Sequence, residues 1–259
     1  DGATAIGLPV SVPWICIGGV GGQSTSAFRP GVYWGTGSPL NVLAAPVSLT
    51  VNGAINGAGG LDTGSLAANT WYHVWAISDG TLTAGLISLS STAPTMPGIY
   101  TYKTRLGAFR TDASVTFYRI RQSGNNPQYV VATGTNTVAP PNMVNGAAGT
   151  ATQVSPVLSA VSTTSVVPPT ATKISLVVGN TYQGSSVAFV FVAPTTAWGG
   201  TQRGPDGSIG VVWPLVINGT IRDYRQVEFV LQGNSVGYAC ASAGGAMSCL
   251  GWTDSVNAS

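Results

Sequence analysis

Charge is what this chain has least of. Ten Lys and Arg and eight Asp and Glu make up 7% of its 259 residues, where about 25% is usual for a soluble domain. The formal net charge of +2 sets up no field strong enough to hold nucleic acid or an anionic membrane, so neither is expected as a partner. The one histidine has no second to share a metal with, the three cysteines include no CxxC pair, and no metal or other cofactor is expected. No apolar run approaches the roughly 20 residues that a membrane-spanning helix needs, so membrane insertion is not expected. No basic and apolar signal segment opens the chain, and its abrupt start at Asp1 reads as a processed or trimmed product. A hydrophobic content of 44% excludes a disordered chain.

Glycine and proline are plentiful instead, 35 and 16 residues, and they punctuate short runs rich in Val, Ile, Leu, Trp and Tyr. Strands are predicted at Val47 to Asn52, Trp71 to Ser78, Thr81 to Ser90, Thr104 to Arg110, Val115 to Gln122 and Gln128 to Ala132. After the Pro, Gly and Asn stretch Ala132 to Ala151 they resume at Gln153 to Ser162, Thr172 to Val178, Ser186 to Val192, Ile209 to Ile217, Gln226 to Gln232, Ser235 to Ala241 and Ala246 to Gly251. No segment has helical periodicity. Regular short strands without helices between them mean an all-β protein, here two tandem antiparallel β-sandwich or jelly-roll-like domains, 1–135 and 136–259. The Gly-rich stretch Gly2 to Gly37 reads as an irregular loop over the first domain.

The single histidine sits in "WYHVWAISDGTLTAGLISLS", Trp71 to Ser90. Asp79-Gly80 between two apolar runs is a strong signal for a two-residue type I′ hairpin. That turn pairs Ile77 with Leu82, Trp75 with Ala84, His73 with Leu86 and Trp71 with Ser88, which places His73 in an apolar stripe. With no second histidine and only Asp62 and Asp79 nearby in sequence, a packed core side chain is the better reading of His73 than a base or a metal ligand.

No catalytic or cofactor motif is present, and the chain is not read as an enzyme. "GGVGG" at Gly18 to Gly22 lacks the spacing, helix and acidic residue of a dinucleotide fingerprint and reads as a flexible turn. Asp223 and Glu228 are the closest carboxylates to share a neighbourhood, but Arg222 and Arg225 flank the first, as in a surface ion-pair cluster rather than a glycosidase pair. Five of the ten basic residues, Lys103, Arg105, Arg110, Arg119 and Arg121, crowd into "KTRLGAFRTDASVTFYRIR". A hairpin there puts Arg119 and Arg121 on one face with Phe117, able to line a subunit interface or to hold a ligand. The interface is favoured, because so few acids are available to pair with these cations. Trp34, Trp198 and Trp213 stand in or beside Gly- and Pro-rich loops. The first two are candidates for stacking on sugar, whereas Trp213 fits a core anchor better. In "YACASAGGAMSCLGW" a two-residue turn at Gly244-Gly245 sets Cys240 opposite Cys249, at a separation a disulfide accepts. Cys16 has no evident partner and reads as a small buried hydrophobe.

The stretch "LDTGSLAANTWYHVWAISDGTLTAGLISLSSTAPTMPGIYTYKTRLGAFRTD" resembles a segment of virion proteins of tailed bacteriophages and prophages of the tail-fibre type. The likeness rests on "LDTGSLAANTWY", "STAPTMP" and "YTYKTRLGAFRTD", and continues in "SVVPPTATKISL" and "MSCLGWTD". It covers the chain from about Leu61 onward and carries no catalytic residues to transfer. It implies a structural protein of the virion, located on the phage tail or the capsid exterior. Expected partners are other copies of the chain, most simply in a homotrimer, other virion proteins and a host surface glycan. A capsid decoration protein without a receptor is the second reading, and a glycan-degrading tailspike, short of carboxylates, the third. A thiol pair at Cys240 and Cys249 would then stay reduced during cytoplasmic assembly and bridge only afterwards.

Overall fold

The computed structural model describes residues 51–151, 156–180, 190–197, 224–241 and 243–255 in full. It also gives the backbone of residues 14–16, 23–28, 31–33, 41–43, 47–50, 184–188, 198, 217–219 and 223. Two compact units divide the chain, Asp1–Thr137 with Asp254–Ser259, and Val138–Thr253. The terminal Asp254 and Ser255 thus belong with the first unit, which a purely linear division does not anticipate. Among the described residues every regular element is a β-strand except one 3₁₀ turn, and eleven of the ladders between strands run antiparallel.

The first unit contains β1 (Trp14–Cys16), β2 (Gln23–Phe28), β3 (Gly31–Tyr33), β4 (Asn41–Leu43), β5 (Val47–Asn52), β6 (Trp71–Ser78), β7 (Thr83–Ser88), β8 (Tyr102–Arg110), β9 (Ile120–Ser123) and β10 (Asn126–Tyr129). Strands β1 to β3 lie within the stretch Gly2 to Gly37 that was expected as an irregular loop, the rest of which is outside the described residues. They pair as β2 with β5, β3 with β4, and β1 with β9 and onward to β10.

One three-stranded sheet is β7-β6-β8. Strand β6 spans the predicted Trp71 to Ser78, because its aromatic and β-branched side chains suit a pleated surface buried on both faces. On one face Tyr72 and Phe109 lie 6.4 Å apart between ring centroids, and Phe109 and Phe117 pack edge-on at 4.3 Å. On the other, Trp75, Ile77 and Leu86 are covered by Met96 and Tyr100, which come from the segment joining β7 to β8. Both strands run antiparallel to β6, so this connection has to cross the sheet. The Trp75 indole N–H donates to Ser90 O at 3.2 Å and ties down its start. Burying each such large side chain is worth about 1.5–3 kcal/mol.

The β6–β7 register differs from the expected one by two residues. His73 faces Ser88, Trp75 faces Leu86 and Ile77 faces Ala84, around a four-residue loop, Asp79 to Leu82. The cause is Asp79. Its carboxylate accepts the N–H groups of Thr81 and Leu82, both at 2.7 Å, and these bonds, that from Leu82 foremost, hold its pKa below the usual range. A side chain that caps the turn in this way favours a longer loop over the tight primed turn. Because strand side chains alternate with period two, a two-residue slip leaves His73 on the same face.

Strand β8 carries a bulge against β6, where Val74 pairs with Gly107 and Trp75 with Arg105. The carbonyl of the extra residue, Leu106, accepts the Gln122 side-chain N–H at 2.8 Å, so the irregularity leaves no stranded acceptor.

The second unit contains β11 (Asn142–Asn145), β12 (Ser159–Ser162), β13 (Ala171–Asn180), β14 (Gly184–Ala188), β15 (Val190–Ala193), the 3₁₀ turn Thr196–Trp198, β16 (Ile217–Gly219), β17 (Asp223–Val230), β18 (Ser235–Cys240) and β19 (Gly245–Asp254). Strands β11, β19, β13 and β17 neighbour one another in that order, while β12, β18 and β15 form a separate sheet and β14 pairs with β16. Ala151, Leu158, Phe191, Ala193 and Ala239 make one core cluster, and Ile174, Leu176 and Val178 supply the buried alternate positions of β13. The predicted Ile209 to Ile217 lies, apart from Ile217, outside the described residues, as do residues 153–155 at the start of another predicted strand.

Candidate functional site

His73 is buried at 3% exposure between Ser88 and Ala108 on the flanking strands, and its Nδ1 has no hydrogen-bond partner. Burial first, then the nearby Arg105 guanidinium, lowers its pKa to about 4. The imidazole is therefore neutral at pH 7 and enclosed, which suits a packed core residue and gives no route to a substrate. Among the described residues no group of three His, Cys, Asp or Glu side chains could hold a metal ion.

The basic cluster disperses in the fold. Arg105 Nη1 donates to both carboxylate oxygens of Asp254, at 3.1 and 3.0 Å, and both side chains are buried, 8% and 0% exposed. A partner for this arginine thus exists within the chain, 149 residues away, against the expectation that the cations lack acids. Lys103 lies over the Trp75 ring at 5.6 Å and donates to Thr92 O.

Arg121 does not share the buried face of Phe117 as expected. Beyond Thr111, which bridges to Phe117, β8 and β9 do not continue as a hairpin. The turn is held by the Asp112 carboxylate, which accepts the N–H groups of Ser114 and Thr116 at 2.8 Å each, with Val115 at φ 62°. Phe117, Ile120 and Gln122 are buried and Arg121 is exposed, so the two-residue alternation breaks between Phe117 and Ile120. Arg121 stands opposite Gln128 on β10, on a polar face with Ser123 and Asn126, while Arg119 is half-buried.

The cysteine hairpin does not form. Strand β18 is the middle strand of its sheet, flanked by β12 and β15, and Cys240 pairs with Val190; Cys249 is on β19, in the other sheet. Both cysteines are buried and unbridged. Gly245 has none of the positive φ that a primed turn demands. It stands instead where a Cβ would collide with the Tyr238 hydroxyl and Cys240 Sγ. Burial pushes the Cys249 thiol up to about 12, so it is inert as a thiolate. Tyr238 is pushed up as well, by burial and then by Cys240, and its hydroxyl donates to Gly146 O at 3.1 Å.

Of the tryptophan candidates, Trp34 and Trp213 lie outside the described residues, and Trp198 ends the 3₁₀ turn with its side chain outside them. The Gly18 to Gly22 turn and the Cys16 side chain are likewise outside. Glu228 makes a surface ion pair with Lys173 at 3.2 Å, while the Asp223 side chain and Arg222 lie outside the described residues.

One exposed surface was not anticipated, the outer face of the β13–β17 pair. Register places Tyr224 beside Gly179, Gln226 beside Val177, Glu228 beside Ser175 and Val230 beside Lys173. Tyr224 is 53% exposed and Val230 58%. Gln226 Nε2 donates to Ser175 Oγ at 3.1 Å. The alternation of Tyr224, Gln226, Glu228 and Val230 was visible in the sequence; what faces it on β13 was not.

These features define an all-β protein of antiparallel sheets. Residues 34–105 match the family model described as the Mtd second domain, a stretch that includes β4 to β7 and stops within β8. It is well under half of the chain. No curated protein and no solved structure matches the chain.

Proposed function

We propose that the chain is a structural virion protein of a tailed bacteriophage, a tail-fibre or head-fibre subunit that forms a homotrimer and binds the host cell surface. The observation that carries this reading is the ordered set of motifs "LDTGSLAANTWY", "STAPTMP" and "YTYKTRLGAFRTD", which resembles phage fibre segments and folds here as the β7-β6-β8 sheet with its flanking loops. The paired and separated sheets of the second unit fit a sandwich of the jelly-roll kind. A charge-poor, Gly- and Thr-rich β fold suits a particle that must survive outside the cell, and packing against identical subunits hides sheet edges.

Mass spectrometry of purified virions, with copies counted per particle, tests this. Tens of copies are expected of a fibre. Hundreds would favour a capsid decoration protein, and absence from the particle would overturn the virion reading.

A further inference from the structure

Gly179 has an ordinary extended backbone, so its lack of a side chain serves space and not conformation. The Cδ1–Cε1 edge of the Tyr224 ring occupies the place where a Cβ on Gly179 would stand. The ring therefore rests on the strand beside it, a cross-strand aromatic–glycine pair that covers the bare backbone. With 53% of the residue still exposed, the rest of the ring is turned to solvent. Tyrosine fixed in this way presents an apolar surface at small entropic cost on binding.

Polar groups continue from the ring along the same face. Gln226, Glu228 and Val230 follow Tyr224 at alternate positions, about 6.6 Å apart from one to the next. Gln226 is bonded to Ser175 and Glu228 to Lys173, so the row is pre-positioned. The Lys173–Glu228 pair leaves the row without net charge.

We propose that this outer face of β13 and β17 binds a neutral pyranose glycan. A sugar ring has an apolar C–H face, which Tyr224 would take, and an edge of hydroxyls, which the Gln226 amide and the Glu228 carboxylate would take as acceptors and donor. An acidic glycan would need an uncompensated cation, and Lys173 is already paired. A protein partner is less well served, because the exposed apolar residues Tyr224 and Val230 are separated by Gln226 and Glu228 and do not make a contiguous apolar patch. The assignment deepens the host-surface reading above by naming its ligand class.

The test is to bind the purified full chain to an array of neutral, uronated and sialylated oligosaccharides and to titrate the neutral hits by calorimetry. Neutral oligosaccharides are expected to bind. Tyr224→Ala should weaken them about tenfold, Tyr224→Phe should retain them, and Gly179→Ala, which puts a methyl group where the ring edge lies, should weaken them with unchanged circular dichroism. Absence of any neutral hit, preference for acidic glycans, or full binding by Tyr224→Ala would each overturn the proposal. Virion copy number is read separately, so loss of the virion reading and loss of the glycan site are distinguishable.

Discussion

His73, the one histidine of the chain, has an imidazole resonance that can be assigned without ambiguity. Its folded pKa of about 4 lies below the ordinary 6.5. Above pH 6.5 the side chain is neutral folded or unfolded and contributes nothing to the pH dependence. Between 6.5 and about 4 the unfolded chain takes up a proton that the folded chain refuses, so stability falls with pH at up to 1.36 kcal/mol per unit, roughly 3 kcal/mol in all. The carboxyls of Asp79 and Asp112 are both held below 3.8, and their losses begin beneath this window. The His73 C2–H signal is expected to titrate near pH 4, and His73→Leu to flatten the fall in melting temperature between pH 6.5 and 4. A midpoint near 6.5 would show an accessible imidazole and reopen a chemical role.

At the scale of elements, the Arg105–Asp254 pair fixes the end of β19 to β8 within the first unit. Removing one partner from a buried pair leaves the other charge uncompensated, which typically costs about 3–5 kcal/mol, whereas replacing both by apolar groups is often neutral. Asp254→Ala is expected to lower the urea midpoint by that equivalent, and Arg105→Met with Asp254→Leu to recover most of it. Equal losses in the single and double variants would mean that packing, not charge, holds this junction. The pair also marks the limit of what could be read in the sequence. Strands such as β5 and β6 were legible to the residue, because apolar and β-branched side chains concentrate between turn residues. Registers were not, since they depended on which polar atoms a turn residue captures, as Asp79 and Asp112 do. The Gly244-Gly245 step misled for another reason. A glycine pair reads alike whether it supplies positive φ to a turn or room for Tyr238 and Cys240, and only the occupancy of both edges of β18 decides. The outer face of β13 and β17 was half legible: Tyr224 to Val230 alternate plainly, but a long-range register had to bring Gly179 beneath the tyrosine ring.

At the scale of the whole molecule the prediction concerns the proposed homotrimer. A chain with 7% charged residues cannot cover its surface with charge, and large aliphatic side chains are left exposed on the first unit: Leu82 at 58%, Leu89 at 65% and Ile99 at 67%. Leu82 and Ile99 belong to loops at one end of the β7-β6-β8 sheet, where Asp79 N–H bonds Leu82 O and Thr101 N–H bonds Ser78 O. Aliphatic groups held out by well-bonded loops are of little use to a monomer and suit a contact with an identical neighbour. Closed threefold symmetry would bury one such end in each subunit. Light scattering at micromolar concentration is expected to give three times the 26.2 kDa chain mass. Leu82→Asp with Ile99→Asp should bring this down to the single chain with circular dichroism unchanged, because neither side chain supports its own fold. A wild-type chain that scatters as a monomer would rule out the trimer, and a trimer untouched by both substitutions would move the contact away from this end of the sheet.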